Sequence, residues 1–292
     1  MTSDAPVPLT LRFWGARGSV PAPGPDTLRH GGNTSCVEVT ADGRRLVLDA
    51  GTGLRALGAR LRAAGAAVPL DVLVTHAHAD HLQGLPFFPP LFEDGASVTL
   101  HTPAGLDEPI AAATRALLRP PLFPAPVADA NPRRIHFASL PPGGEPTEVA
   151  GFRVRALDVA HPGGAAGFRI EDASGAAFVY VPDNELNAVE GVCGGRRALL
   201  EAIAGAQLLI HDATYLPAEL PAHRGWGHST YAEAVRLAAD AGVPRLVLFH
   251  HHPDRTDDAV ERLTATAAAL GDASRSRVDV TAAREGMEVG VE

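Results

Sequence analysis

The chain has 292 residues, 46% of them hydrophobic, which disfavours disorder and suffices for one large domain or two small ones. Its formal net charge of -9 argues against binding by neutralising many phosphates, and its basic residues are all arginine, which excludes a P-loop lysine or a lysine Schiff base. Cys36 and Cys193 form no CxxC pair, the N-terminus lacks a leader pattern, and no run of about 18 apolar residues occurs, so a cytoplasmic protein without membrane association is expected.

Strand-like runs come first at 9–14 (LTLRFW), 35–40, 45–50, 70–75 and 97–102, then at 152–160, 167–170, 176–183, 206–213 and 244–251. Helical periodicity covers 53–65, 196–204, 230–241 and 257–270, each ending near a glycine. Residues 103–146 are rich in proline around one short helical piece, ATRALLR, and are expected to form an insertion or lid on a single domain spanning 1–292.

The apolar run DVLVT is followed at once by His76, His78, Asp80 and His81. Alternation along an extended segment puts His76 and His78 on one side, with the small Ala77 between them, where two imidazoles can share one metal. A turn into a helix at Asp80 would make that residue an N-cap and direct Asp80 and His81 toward a second metal. Two metals need more ligands, and the ends of later strands offer three candidates. His161 follows RVRALDVA and precedes a PGG turn, Asp183 ends AFVYVPD where a carboxylate can bridge two ions, and His250, His251 and His252 compete at the end of LVLFHHH.

The HxHxDH stretch resembles the defining motif of the metallo-β-lactamase superfamily. The resemblance implies a four-layer αββα sandwich (α/β, or α+β, class) of two related halves, with a dinuclear site along one edge. It implies one cation on His76, His78 and His161, another on Asp80, His81 and His250, and Asp183 bridging. It favours His250 as the last ligand, and strand alternation puts His251 on the opposite face. Asp80 counts among the catalytic residues as well as the ligands, and Asp49, in LVLDAGTG, matches an upstream aspartate that orients a ligand histidine or a metal-bound water. Zinc is the first choice of divalent metal, with manganese or iron as alternatives, since a His/Asp site accepts each. Water activated between cations about 3.5 to 4 Å apart is the expected nucleophile.

Two further stretches, IHDATY and GHSTYAEA, resemble the H-[DE]-A-T and G-H-S-T motifs of the ribonuclease Z and small cyclic phosphodiesterase branch. The resemblance implies that His228 protonates the leaving alkoxide and that Asp212 orients it; Ser229 or Thr230 is at the same time a helix N-cap. The glycine-rich stretch 15–36 fits the same branch, with Arg17 and Asn33 as candidate substrate contacts and Arg29 and His30 as weaker ones. The sequence departs from ribonuclease Z in having no long arm for gripping tRNA, and from phosphonate-pathway phosphodiesterases in having no cysteine cluster. The expectation is therefore a hydrolase of a small cyclic phosphodiester such as a cyclic nucleotide, with long nucleic acid an unlikely partner and a homodimer left open. The alternatives are a tRNA 3′-processing endoribonuclease and a lactone, thioester or lactam hydrolase.

Overall fold

The structure is a computed structural model that describes residues 8–65, 69–93, 95–124, 134–141, 144–186 and 195–292. Two seven-stranded mixed sheets face each other. The first carries, in spatial order, β14 (Glu288–Val291), β1 (Leu9–Gly15), β2 (Cys36–Ala41), β3 (Arg44–Leu48), β4 (Leu70–Leu73), β5 (Val98–Thr102) and β6 (Ile135–Ser139). The second carries β13 (Asp279–Ala282), β12 (Arg245–Phe249), β11 (Leu208–Asp212), β10 (Ala177–Val181), β9 (Ala165–Glu171), β8 (Phe152–Val159) and β7 (Thr147–Val149). In each sheet antiparallel pairing gives way to parallel pairing, at β3 in the first and at β10 in the second. The last two strands are shared out between the halves, since β13 closes the second sheet and β14 the first.

The inner faces form one apolar core, in which Phe13, Phe152, Phe168, Phe178, Tyr180 and Phe249 are all fully buried. On the outer face of the first sheet lie α1 (Gly53–Ala63) and α2 (Asp107–Leu117), with Leu54, Leu57 and Ile110 in a second cluster. On the outer face of the second lie α3 (Gly195–Ile203), α4 (Tyr231–Ala241) and α5 (Asp257–Ala273), with Ile203, Val235 and Leu263 in a third. This is the expected αββα order of layers. Covered on both faces, β10 and β11 are buried along their whole length, which explains their unbroken apolar reading in AFVYV and LLI. No described helix is long and apolar enough to cross a membrane.

The stretch 103–146, expected to form an insertion or lid, is built onto the first sheet over its described part. The helix α2 is longer than the ATRALLR piece, and β6 pairs in parallel with β5 as the edge of the first sheet. Residues 125–133 and 142–143 of that stretch, and Cys193, lie outside the described residues. The strands β6, β7, β13 and β14 also went unread in the sequence. Each is a short sheet-edge strand, β6, β13 and β14 alternating apolar with polar residues and β7 carrying a single apolar residue, so none makes a sustained apolar run.

Candidate metal centre

The site forms where strands of both sheets end at their carboxyl termini, which is where open α/β sheets present their ligands. Beyond β4 the chain stays extended through Thr75 and His76, then tightens into a 3-10 turn at Ala79–His81. The expectation that Asp80 caps a helix is corrected. It lies inside this turn, and its Oδ2 accepts the Ser19 backbone N–H at 2.7 Å. His161 enters from the end of β8, Asp183 from β10, Asp212 from β11 and His250 from β12.

These distant residues converge in two groups. His78 Nδ1 lies 3.0 Å from both His76 Nε2 and His161 Nε2. On the other side, Asp80 Oδ2 lies 3.3 Å from both His81 Nε2 and His250 Nε2. The Asp183 carboxylate sits between the groups, 3.1 Å from His81 Nε2, 3.3 Å from His250 Nε2, 3.9 Å from His76 Nε2 and 3.8 Å from His161 Nε2. Sets of three drawn from these residues are close enough to hold an ion.

The hydrogen bonds on the far side of each ring fix what it presents inward. His81 Nδ1 donates to Asp49 Oδ2 at 2.9 Å, His161 Nδ1 to the Gly227 carbonyl at 2.9 Å, and His250 Nδ1 to Thr214 Oγ1 at 3.0 Å. The Thr214 hydroxyl spends its own proton on the His250 carbonyl, so it must accept from the ring. His76 Nδ1 meets Thr75 Oγ1 at 3.0 Å, whose proton goes to Asp49. In each case the outer nitrogen carries the hydrogen and the inner Nε2 a lone pair, the arrangement that makes imidazole a metal ligand.

Several lone pairs facing one another at 3.0 Å repel unless a cation lies among them. The buried His81 Nε2 and Asp183 Oδ1 face each other at 3.1 Å without an aligned hydrogen bond, and against burial the carboxylates of Asp80, Asp49 and Asp183 hold the His81 pKa well above its ordinary value, a negative field that suits a cation. Nitrogen and carboxylate oxygen in this proportion suit a borderline divalent ion, so the residues present fit two cations. Burial alone raises the Asp183 and Asp80 carboxyls, but the surrounding histidines outweigh it and hold both well below the usual range. Burial holds His76 well below its ordinary value, hence neutral and free to ligate.

Of the three consecutive histidines, the structure brings His250 to the cluster. Its backbone takes φ of 58°, in the left-handed region that non-glycine residues seldom adopt, as does Asp49 at 57°. His251 turns away, donating from Nε2 to the Ala283 carbonyl at 2.9 Å, and burial pushes its pKa down to about 3. His252 is half-buried outside the cluster.

His228 opens the loop into α4. Its ring stacks on His250 at a centroid distance of 4.8 Å, and its Nδ1 donates to Asp212 Oδ2 at 2.6 Å. Burial opposes its protonation, but the charge and hydrogen bond of Asp212, reinforced by Asp183 and Asp80, raise its pKa to about 9. Asp212 is itself held by the Thr214 N–H at 2.9 Å and the Asn184 N–H at 3.3 Å. Thr230, not Ser229, caps α4, in a reciprocal capping box with Glu233.

The four candidates in the N-terminal loop have partners within the protein. Arg17 is wholly buried and spends its guanidinium on the carbonyls of Gly31, His252 and Arg255, so it ties the loop after His250 in place and has no face for substrate. Asn33 is bound through backbone and side chain to Glu285. Arg29 pairs with Asp258 and Glu261 on the surface, and His30 donates to the Ala283 carbonyl.

Sequence reasoning missed the residues that hold the ligands. Tyr180 donates to Asp49 Oδ2 at 2.9 Å, Thr75 gives Asp49 both its N–H and its hydroxyl, and Thr214 braces His250. Glu185 accepts the N–H groups of Gly225 and Gly227 and so fixes the loop ahead of His228. The one signal was Tyr180, a polar hydroxyl in an otherwise aliphatic and aromatic strand.

A family model described as "Beta-lactamase superfamily domain" matches residues 44–251. The chain is 29% identical to the ribonuclease Z of Haloarcula marismortui, an alignment that covers 97% of this chain and 98% of that protein. Among solved structures it is similar to the metallo-β-lactamase fold protein YhfI of Bacillus subtilis, with a TM-score of 0.69, 19% identity, and 97% and 99% of the two chains covered. It is also similar to the short form of human tRNase Z, with a TM-score of 0.63, 22% identity, and 97% and 99% covered.

Proposed function

The chain belongs to the metallo-β-lactamase superfamily, and from that premise we propose that it is a dinuclear phosphodiesterase acting on small cyclic phosphodiesters such as cyclic nucleotides. His76, His78 and His161 would hold one divalent cation, Asp80, His81 and His250 the other, with Asp183 reaching both; zinc suits this donor set best. When bound, such a pair lowers the pKa of water and offsets the charge gathering on a phosphoryl group.

The remaining chemistry belongs to the chain. Asp49, Thr75, Thr214 and the Gly227 carbonyl each hold the outer edge of a ligand ring, so the inner nitrogens stay aligned without reorganisation. His228 is the general acid. Asp212 occupies its Nδ1–H and leaves the Nε2–H as the proton for a departing alkoxide. Cations on Asp183 and Asp80 would weaken the support those carboxylates give to the charged ring. Asp212 is outside both triads, so its support persists.

The 2.6 Å bond between His228 and Asp212, beside Asp183, is the observation that carries the reading. Acyl transfer from a thioester, whose thiolate leaves without a proton, has less use for so strongly held an acid. The test is His228→Ala on two substrates. Turnover of an alkyl cyclic phosphate should fall by about 10²–10⁴, while a diester with a p-nitrophenolate leaving group should be nearly unaffected, and bound metal should not change. Equal turnover of the alkyl substrate by variant and parent would remove the acid and, with it, the reading.

A second reading is RNA 3′-end cleavage. The end-to-end similarity to ribonuclease Z favours it and weighs against the expectation that long nucleic acid is an unlikely partner. The charge of -9 favours the small substrate, and among the described residues every strand belongs to one of the two sheets, with none left for a projecting arm. Cleavage of precursor tRNA in preference to cyclic nucleotides would reverse that order.

A further inference from the structure

We propose that Trp226 is a stacking platform for the nucleobase next to the scissile phosphate, so that the substrate is a nucleoside phosphodiester. This deepens the phosphodiesterase reading and rests on it. Trp226 lies two residues before the acid His228 and directly before Gly227, whose carbonyl holds the His161 ring. It is 61% exposed, whereas His228 is 8% exposed, so the loop carries an open aromatic face two residues from the buried acid.

An aromatic row joins them. The Tyr215 ring meets His228 at 5.8 Å and lies nearly parallel to His223 at 4.5 Å, and His223 and Trp226 meet at right angles at 5.1 Å. An exposed indole adds nothing to the core, yet the loop that carries it is anchored at every turn. Glu185 clamps the N–H groups of Gly225 and Gly227, and Glu219 is held by Arg255 at 2.7 Å. His223 donates to the Glu219 carbonyl, and the Trp226 N–H to the His223 carbonyl. An apolar face held rigid in water beside a reactive centre has the physical form of a binding surface, because the ordering cost of the loop is already met before the ligand arrives. Stacking suits a base of any identity, and both a cyclic nucleotide and an RNA 3′ end bring a base next to the phosphate.

The test is Trp226→Ala and Trp226→Phe in the metal-loaded enzyme, assayed on adenosine 2′,3′-cyclic phosphate, a short RNA and the baseless ethylene glycol cyclic phosphate. The alanine variant should raise KM for a base-bearing substrate by about tenfold to a hundredfold with kcat retained, the phenylalanine variant should recover most of that loss, and the baseless substrate should not respond. A rise on the cyclic nucleotide assigns the platform to small substrates, and one confined to the RNA assigns it to a chain end. A second readout needs no turnover: the chain has two tryptophans, so in a Trp14→Phe background the remaining fluorescence comes from Trp226, and adenosine monophosphate should quench it. Equal responses of base-bearing and baseless substrates, or no quenching, would overturn the platform. Quenching in a protein that hydrolyses no phosphodiester would instead overturn the phosphodiesterase reading alone.

Discussion

Replacing Asp49 by asparagine tests how the protein holds its second cation. The Asp49 carboxylate is fully buried and accepts from four donors, the N–H and hydroxyl of Thr75, the Tyr180 hydroxyl and His81 Nδ1. The asparagine side chain would have nearly the same shape but only one accepting oxygen. If that oxygen keeps the Thr75 pair, an NH2 group faces His81 Nδ1, and the ring escapes the clash of two donors only by moving its proton to Nε2. The nitrogen that should ligate the cation then points a hydrogen at it. Loss of an orienting partner of this kind weakens metal binding by about 10- to 100-fold, roughly 1.4 to 2.8 kcal/mol. Chelator competition on Asp49→Asn should therefore reveal one site near parental affinity and one weakened by that factor, and nitrogen chemical shifts should report the changed His81 tautomer. Two cations bound at parental affinity would refute the assignment of His81 Nε2 as a ligand held in place by Asp49.

Gly18→Ala reaches the same cation from the other side, because a Cβ there would sit 2.1 Å from His250 Nδ1 and must displace the ring from Thr214. At least tenfold weaker binding of one cation is expected by competition titration, with a stability cost of about 1 to 3 kcal/mol in denaturant melts. Acid sensitivity should follow the buried histidines. His251 has a folded pKa of about 3 against 6.5 ordinarily, so the unfolded chain binds a proton that the folded one refuses, and stability is lost as pH falls from about 6.5 toward about 3. His251→Gln keeps a donor for Ala283, and between pH 7 and 5 its urea midpoint should correspond to about 1 to 2 kcal/mol less loss than in the parent. Thr230→Ala removes the capping box of α4 and should cost about 1 kcal/mol by thermal or chemical unfolding.

The ligands themselves were legible because local rules govern them. Strand alternation pairs His76 with His78, and His161, Asp183 and His250 each follow a readable apolar run, which made them candidates; the layer order and the choice of His250 among three histidines came from the resemblance to a known family. Their supports were not legible. Tyr180 reaches Asp49 across the two sheets, and Thr214 meets His250 between neighbouring strands, pairings that exist only after the halves have packed. The same limit hid the setting of Arg17: a glycine-rich loop reads as exposed, and nothing local announces that backbone carbonyls of residues 31, 252 and 255 will accept from its guanidinium. The edge strands were lost for the opposite reason, since they bury one face and carry half the apolar signal of a central strand.

Anomalous diffraction from crystals grown with zinc tests the central claim most directly. Two peaks are expected in each chain, one against His76, His78 and His161 and the other against Asp80, His81 and His250, with the Asp183 carboxylate touching both. A single peak in a fully active enzyme, or peaks away from these side chains, would contradict the account.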